Sequence, residues 1–268
     1  MLVFQEDGGA RILYCRIRDN WAAYGGGVYA GYASNAVIAS CMIYDNRAKL
    51  YYGYYGKGGG VRLYYGSITL VSCTVAYNVA ESGEGDGVHR YGGQSSVINC
   101  ILWENGDDVY GITPTYSCIQ DGDAGTGNIS ANPQFVAATN RDYHLKISSP
   151  CIDAGSNDPM EGDPPVPVPP KDFEGDDRIV DMTGNNKRDM GADEYKFAVR
   201  SVSHTAGTLE LSWDSVAGVT YTIEKADVLE ENTVWTTAGT KQATGSTTTW
   251  STNISSLTIR FYRLKFQP

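Results

Sequence analysis

The sequence predicts an all-β protein, a parallel β-solenoid followed by a small antiparallel β-sandwich. Three observations carry that reading. A cysteine is followed five positions later by an asparagine at Cys15/Asn20, Cys41/Asn46, Cys73/Asn78 and Cys100/Asn105. A glycine station follows the first three asparagines, at Gly25-Gly26-Gly27-Val28, Gly58-Gly59-Gly60-Val61 and Gly85-Asp86-Gly87-Val88. No apolar pattern of helical period has convincing length, so one supersecondary unit repeats instead of closing a single core.

The units align from Ile12 to Ile17, Ile38 to Ile43, Leu70 to Val75 and Val97 to Leu102. Period-two alternation predicts that the residue two before each cysteine, the cysteine, and the residue two after it share one buried face. Glycine permits the bend that starts the next strand. The recurring asparagines predict a ladder, because an identical amide one strand spacing above and below lets each side chain donate to the next. In-register neighbours on parallel strands rarely reach disulfide geometry, so the cysteines are expected to be buried free thiols. With no Cys-x-x-Cys and only His89, His144 and His204, a zinc site is not expected. The second coil carries a tyrosine-rich insertion, Leu50 to Gly56.

Composition shifts along the chain. Residues 1–196 are assigned to the solenoid with a terminal cap region over 128–195, interrupted by a Pro-rich exposed loop at 158–171. Residues 197–268 form the sandwich: Leu209, Leu211 and Trp213 alternate with polar neighbours, as do Tyr221 and Ile223, and the run from Arg260 to Phe266 closes it. The net charge of −10 argues against nucleic acid as a partner. No stretch reaches transmembrane length, and the N-terminus does not resemble a signal peptide. An exposed solenoid end normally needs a cap, so the chain is expected to be an N-terminally truncated fragment.

These residues together resemble bacterial right-handed parallel β-helix proteins of the pectin-lyase-like group. The stretch from Asn132-Pro133 through Ser149-Pro150-Cys151-Ile152-Asp153-Ala154-Gly155 to Arg188-Asp189-Met190-Gly191-Ala192-Asp193-Glu194-Tyr195 is similar to the terminal region of such proteins with a choice-of-anchor ending. The tail is similar to a fibronectin type III-like β-sandwich. The resemblance implies an extracellular or cell-surface protein, but that fold hosts lyases, hydrolases, adhesins and passive stalks. Neither the calcium-and-base set of pectate lyase-like enzymes nor the paired aspartates with Gly-His-Gly of polygalacturonase-like ones is intact.

Three candidate sites follow. Fourteen of the nineteen tyrosines precede residue 111, and Tyr29, Tyr51, Tyr52, Tyr54, Tyr55, Arg62 and Tyr64 suggest a face on which sugar rings stack. Asp86 and His89 are its acid-base candidates; tyrosine covering a flat sheet is the plainer alternative. Asp19, Asp45, Tyr77 and Glu104 form a column just before the asparagines that suggests an acid-base pair, a calcium site or turns facing water. The oxygen-rich segment containing Asp172, Asp176, Asp177 and Asp189 invites calcium, although its spacing is not that of an EF-hand. The expected function is a secreted or cell-surface protein binding polysaccharide through the β-helix. The alternatives are an adhesin or stalk without glycan chemistry, and a fragment of a polysaccharide lyase or glycoside hydrolase.

Overall fold

Each repeat supplies three short strands and a still shorter fourth, and equivalent strands pair in parallel from coil to coil. This is the arrangement found in the computed structural model, which describes residues 2–4, 9–32, 35–51, 53, 56–157, 169–178, 187–196, 198–254 and 260–267. Sheet A stacks Leu2–Phe4, Val28–Ala30, Val61–Leu63, Val88–Arg90 and Val109–Tyr110; sheet B stacks Arg11–Leu13, Asn35–Ala39, Ser67–Val71 and Gln94–Ile98. Sheet C stacks Arg16–Arg18, Met42–Tyr44, Thr74–Ala76, Ile101–Trp103 and Cys118–Ile119, and sheet D stacks Trp21–Ala22, Arg47–Ala48 and Val79–Ala80. The fold is a parallel β-helix, and its core is the column of apolar residues that every coil turns inward. In one coil these are Val61, Leu63, Ile68, Leu70, Cys73 and Val75.

Two left-handed corners shape each coil. The residue before each cysteine (Tyr14, Ser40, Ser72, Asn99) has φ of 57, 48, 49 and 54°, and the residue before each asparagine (Asp19, Asp45, Tyr77, Glu104) has φ of 56, 54, 54 and 56°. Asn and Asp tolerate this conformation, whereas tyrosine carries it at a cost. The first corner also corrects the expected alternation. Ile38 and Leu70, three before the cysteine, join the core, while Ala39 and Val71 pack in a separate cluster with Leu13 and Val37. A left-handed residue between sheets B and C resets the in-out phase, so a period of two does not run through it.

At Gly60 in the glycine station only backbone fits. A Cβ at Gly60 would lie 2.6 Å from the carbonyl oxygen of Gly87 in the next coil, because sheet-to-sheet turns there pass directly over one another.

The ladder is complete. Asn20 Nδ2 donates to Asn46 Oδ1 at 3.0 Å, Asn46 to Asn78 at 3.0 Å and Asn78 to Asn105 at 3.0 Å. Each receiving oxygen also takes the backbone N–H of the donor residue, at 3.2, 3.1 and 3.0 Å. Asn105 has no asparagine beyond it and donates to Asp108 Oδ1 at 2.9 Å, so an aspartate terminates the row. Burial raises the Asp108 carboxyl to about 7, with Asn105 opposing and Asp121 adding. Cys41, Cys73 and Cys100 are fully buried in the core, Cys15 on the first coil is exposed, and all six cysteines are free thiols.

The described residues of 133–157, 169–178 and 187–195 supply groups that cover the outer face of sheet C. Along that sheet Ile43, Val75 and Leu102 point inward, yet the outward Met42, Tyr44, Thr74, Ala76 and Ile101 are also buried. Tyr143 packs on Tyr44 and Phe135 with ring centroids 5.1 and 5.2 Å apart. Arg141 ties two corners together through Asp19 Oδ1 and Asp45 Oδ2, each at 2.8 Å. Arg178, 1% exposed, donates to Ser40 Oγ at 3.0 Å and to the carbonyls of Ser72, Gly191 and Ala192 at 3.3, 2.9 and 2.7 Å. Gly191, at φ 99°, allows the close pass: a Cβ there would stand 2.7 Å from Ile101 Cδ1.

By contact density the chain divides into Met1–Val180 with Lys187–Tyr195, and Asp181–Asn186 with Lys196–Pro268. The second unit contains two three-stranded antiparallel sheets, one ordered Val199–Thr205, Thr208–Asp214, Thr247–Asn253 and the other Thr236–Gln242, Thr220–Ala226, Phe261–Gln267. Leu209, Leu211, Trp213, Tyr221, Ile223 and Ala243 form its core. Among the described residues no helix is long and apolar enough to cross a membrane.

Candidate functional site

The outer face of sheet A gathers three of the seven predicted glycan residues, Tyr29, Arg62 and Tyr64, together with His89. Parallel pairing places Tyr29, Arg62, His89 and Tyr110 in one column, flanked on one side by Tyr24 and Lys57, themselves bridged. On the other side Tyr32, Tyr64, Tyr65 and Tyr91 interlock: Tyr64 stacks on Tyr91 at 5.4 Å, Tyr32 on Tyr65 at 5.9 Å, and Tyr64 meets Tyr32 edge-on at 5.2 Å. Offset and edge-to-face contacts of this kind rigidify rings without removing their outer surfaces. Tyr32, Tyr65 and Tyr91 remain 50 to 57% exposed.

Arg62 lies on this outward face but is only 6% exposed. Its guanidinium sits 3.8 Å from the Tyr24 ring centroid and 5.6 Å from that of Tyr64. Burial lowers its pKa, and the nearby tyrosines and Glu84 oppose that shift. Nε and Nη1 have no hydrogen-bond partner among the described residues, and Glu84 is already paired with Lys57. The result is a cation held by rings rather than by a carboxylate.

His89 is fully buried against Tyr110, stacked at 4.9 Å. Its pKa falls to about 4, first because burial disfavours the imidazolium and then because Arg62 and Lys57 are close, with Glu84 opposing. The ring is therefore neutral at pH 7, and its 3.7 Å approach to Glu84 is not an ion pair there. The folded pKa lies below the unfolded value of about 6.5, so the unfolded chain binds more protons between pH 6.5 and 4. Stability from this group is complete above pH 6.5 and is lost as pH falls towards 4. Relative to His89→Phe, the wild type should lose on the order of 3 kcal/mol between pH 7 and pH 4. Denaturant melts showing a constant gap between the two proteins over that range would show that His89 is not held neutral.

Asp86 is not His89's partner. Its Oδ1 accepts the Ala80 N–H and its Oδ2 accepts the Asp107 N–H at 3.1 Å, which makes it a lock between turns. The carboxylate beside His89 is Glu84, which directly precedes the glycine station. Tyr110, Tyr32 and Tyr91 were likewise missed; the column rule would have reached Tyr110 had the fourth station not replaced its glycines with Asp107 and Asp108. Tyr51 is exposed, and Tyr52, Tyr54 and Tyr55 lie outside the described residues.

The column Asp19, Asp45, Tyr77 and Glu104 forms corners, its aspartates occupied by Arg141 and Tyr77 facing Tyr143 at 6.3 Å. The four aspartates proposed for calcium do not converge. Asp172 Oδ1 accepts the N–H groups of Glu174 and Asp176, each at 2.8 Å, and its Oδ2 that of Glu194 at 3.2 Å. Asp177 is exposed and paired with Lys171 at 2.6 Å. Asp189 is buried near Asp153 and Glu194, but its oxygens take the N–H groups of Asp153 and Tyr195 at 2.7 and 2.6 Å. Burial, then the Glu194 charge, raises the Asp189 carboxyl well above its ordinary value.

A family model described as a right handed beta helix region matches residues 2–132, the stretch that carries sheets A to D. No curated protein matches the chain.

Proposed function

We propose that the protein binds an anionic polysaccharide along the outer face of sheet A, as a secreted or surface-attached bacterial protein of the pectin-lyase-like kind. The observation that carries this reading is Arg62, a buried guanidinium without a carboxylate partner among the described residues, set in a strip of partly exposed tyrosines. A uronate or sulfate group supplies the missing counter-charge, and the rings take the apolar faces of neighbouring sugars. The strip runs perpendicular to the strands, so equivalent contacts repeat at one strand spacing and suit a polymer that is itself a repeating rod. The neutral His89 and Glu84 form the one acid-base pair on this face among the described residues, which makes turnover of a uronate polymer the accompanying enzymatic reading. The strand order of the second unit supports a fibronectin type III-like module used for spacing or attachment.

Calorimetric titration with polygalacturonate, a sulfated glycan and a neutral β-glucan tests the proposal. Anionic polymers should bind with an affinity that falls as salt rises, and the neutral one should bind weakly. Arg62→Gln should weaken binding at least about tenfold, equivalent to 1.4 kcal/mol. Tyr91→Ala, at an exposed ring, should weaken it with an unchanged melting temperature. Absence of binding to every anionic polymer would favour the adhesin or stalk reading. Product release that disappears in His89→Ala would add catalysis.

A further inference from the structure

Three side chains from separate stretches of the chain, His144, Glu174 and Asp193, meet among the described residues that cover sheet C. His144, at the end of the strand Asp142–Leu145, points its Nε2 at Glu174 Oε1, 3.2 Å away. Asp193 joins them, with one ligand atom of each residue within 4.8 Å of the others. Its surroundings set Asp193 apart from the other acids of this region. It is only 7% exposed, yet its carboxylate makes no hydrogen bond or ion pair among the described residues, unlike Asp172 and Asp189, whose oxygens are filled by backbone N–H groups.

The imidazole is oriented as well. Asp142 Oδ1 lies 2.5 Å from His144 Nδ1, which holds the proton on Nδ1 and turns the Nε2 lone pair towards Glu174 and Asp193. A carboxylate on the far nitrogen of a ligating histidine is the usual outer support of a metal site, because it fixes the tautomer and raises the basicity of the ligating nitrogen. His144 and Glu174 are 40 and 45% exposed, which leaves an approach from solvent, while Asp193 closes the inner side.

We propose that His144 Nε2, Glu174 and Asp193 bind one divalent transition-metal ion, with Asp142 as the orienting group. One imidazole and two carboxylates suit zinc, cobalt or manganese better than calcium, which prefers an all-oxygen set. Burial raises the Asp193 carboxyl to about 7, with His144 opposing and Asp172 and Glu174 adding to it; a bound cation relieves that penalty. The ion would join residues 142–144, 174 and 193, three passes of the segment that covers sheet C, and so fasten that cover. This inference is independent of the glycan face.

The test uses the full chain as Cys15→Ser, so that the exposed thiol cannot take the ion, stripped with a chelator and titrated with Co2+ alone and with Zn2+ alone. Expected are one equivalent bound, visible d–d absorption from Co2+, and a rise of several degrees in melting temperature with saturating Zn2+. Asp193→Asn should abolish stoichiometric binding, and Asp142→Asn, which leaves all three ligands in place, should weaken it about 10- to 100-fold. Asp177→Asn, at an exposed aspartate, should bind as the parent does. A stripped parent that takes up neither ion, or an Asp193→Asn protein that binds as tightly as the parent, overturns the proposal and leaves the three groups as a proton-bridged cluster.

Discussion

Arg178→Met should destabilise the first unit by roughly 3–5 kcal/mol, the usual cost of leaving buried polar groups without their charged partner. The side chain is 1% exposed and satisfies the carbonyls of Ser72, Gly191 and Ala192 as well as Ser40 Oγ. Its loss removes the guanidinium donor from the carbonyls of Ser72 and Gly191, and takes one partner from Ser40 Oγ, which still donates to the Lys171 carbonyl, and from the Ala192 carbonyl, which still accepts from the Phe173 N–H. It also takes the nearest cation from Glu194, whose carboxylate lies 4.0 Å away. Methionine matches much of the stem volume, so packing loss is kept small and the polar loss dominates. Hydrogen exchange should show the protection of residues 187–195 falling furthest, because that segment is pinned to the corners at Ser40 and Ser72 by this one guanidinium. A change below about 1 kcal/mol, typical of an exposed pair, would show that the apolar cover alone holds the segment down.

Asn78→Ala should cost on the order of 3 kcal/mol, since each buried group left unsatisfied costs about 1–3 kcal/mol. Asn78 is an interior rung. Its Oδ1 accepts from Asn46 Nδ2 and the Asn46 N–H, and its Nδ2 serves Asn105 Oδ1 and the carbonyls of Ile43 and Ala76. Alanine fills none of these roles. Asn253→Ala, on an exposed strand end of the second unit, is the comparison and should be nearly silent. Calorimetry giving equal shifts for the two variants would contradict the ladder. A smaller effect is expected at Asn20, which is half-buried and has one amide neighbour.

The repeat was legible because its cause is local. A cysteine and an asparagine five residues apart recur wherever a coil turns the same two corners, so the ladder, the inward thiols and the column Tyr29, Arg62, His89 could be aligned from the sequence alone. Within a coil the alternation failed where backbone conformation overrode it, at the left-handed residues before the cysteines, which send Ala39 and Val71 outward and Ile38 and Leu70 inward. Spacing carries no sign of φ when the corner residue is Tyr, Ser or Asn by turns.

What the tertiary structure alone decided involves pairs far apart in the chain. Arg178 meets Ser40 across 138 residues, Arg141 meets Asp19 across 122, and His144, Glu174 and Asp193 converge without any shared period. The same holds at close range for charge: Asp86 lies nearer to His89 in sequence than Glu84 does, yet backbone N–H groups capture Asp86 and leave Glu84 facing the imidazole. Periodicity determines which residues stack, because each coil repeats one local path. Which side chains find partners outside that path depends on where the covering segment returns, and that is set by packing on sheet C rather than by any repeat in the sequence.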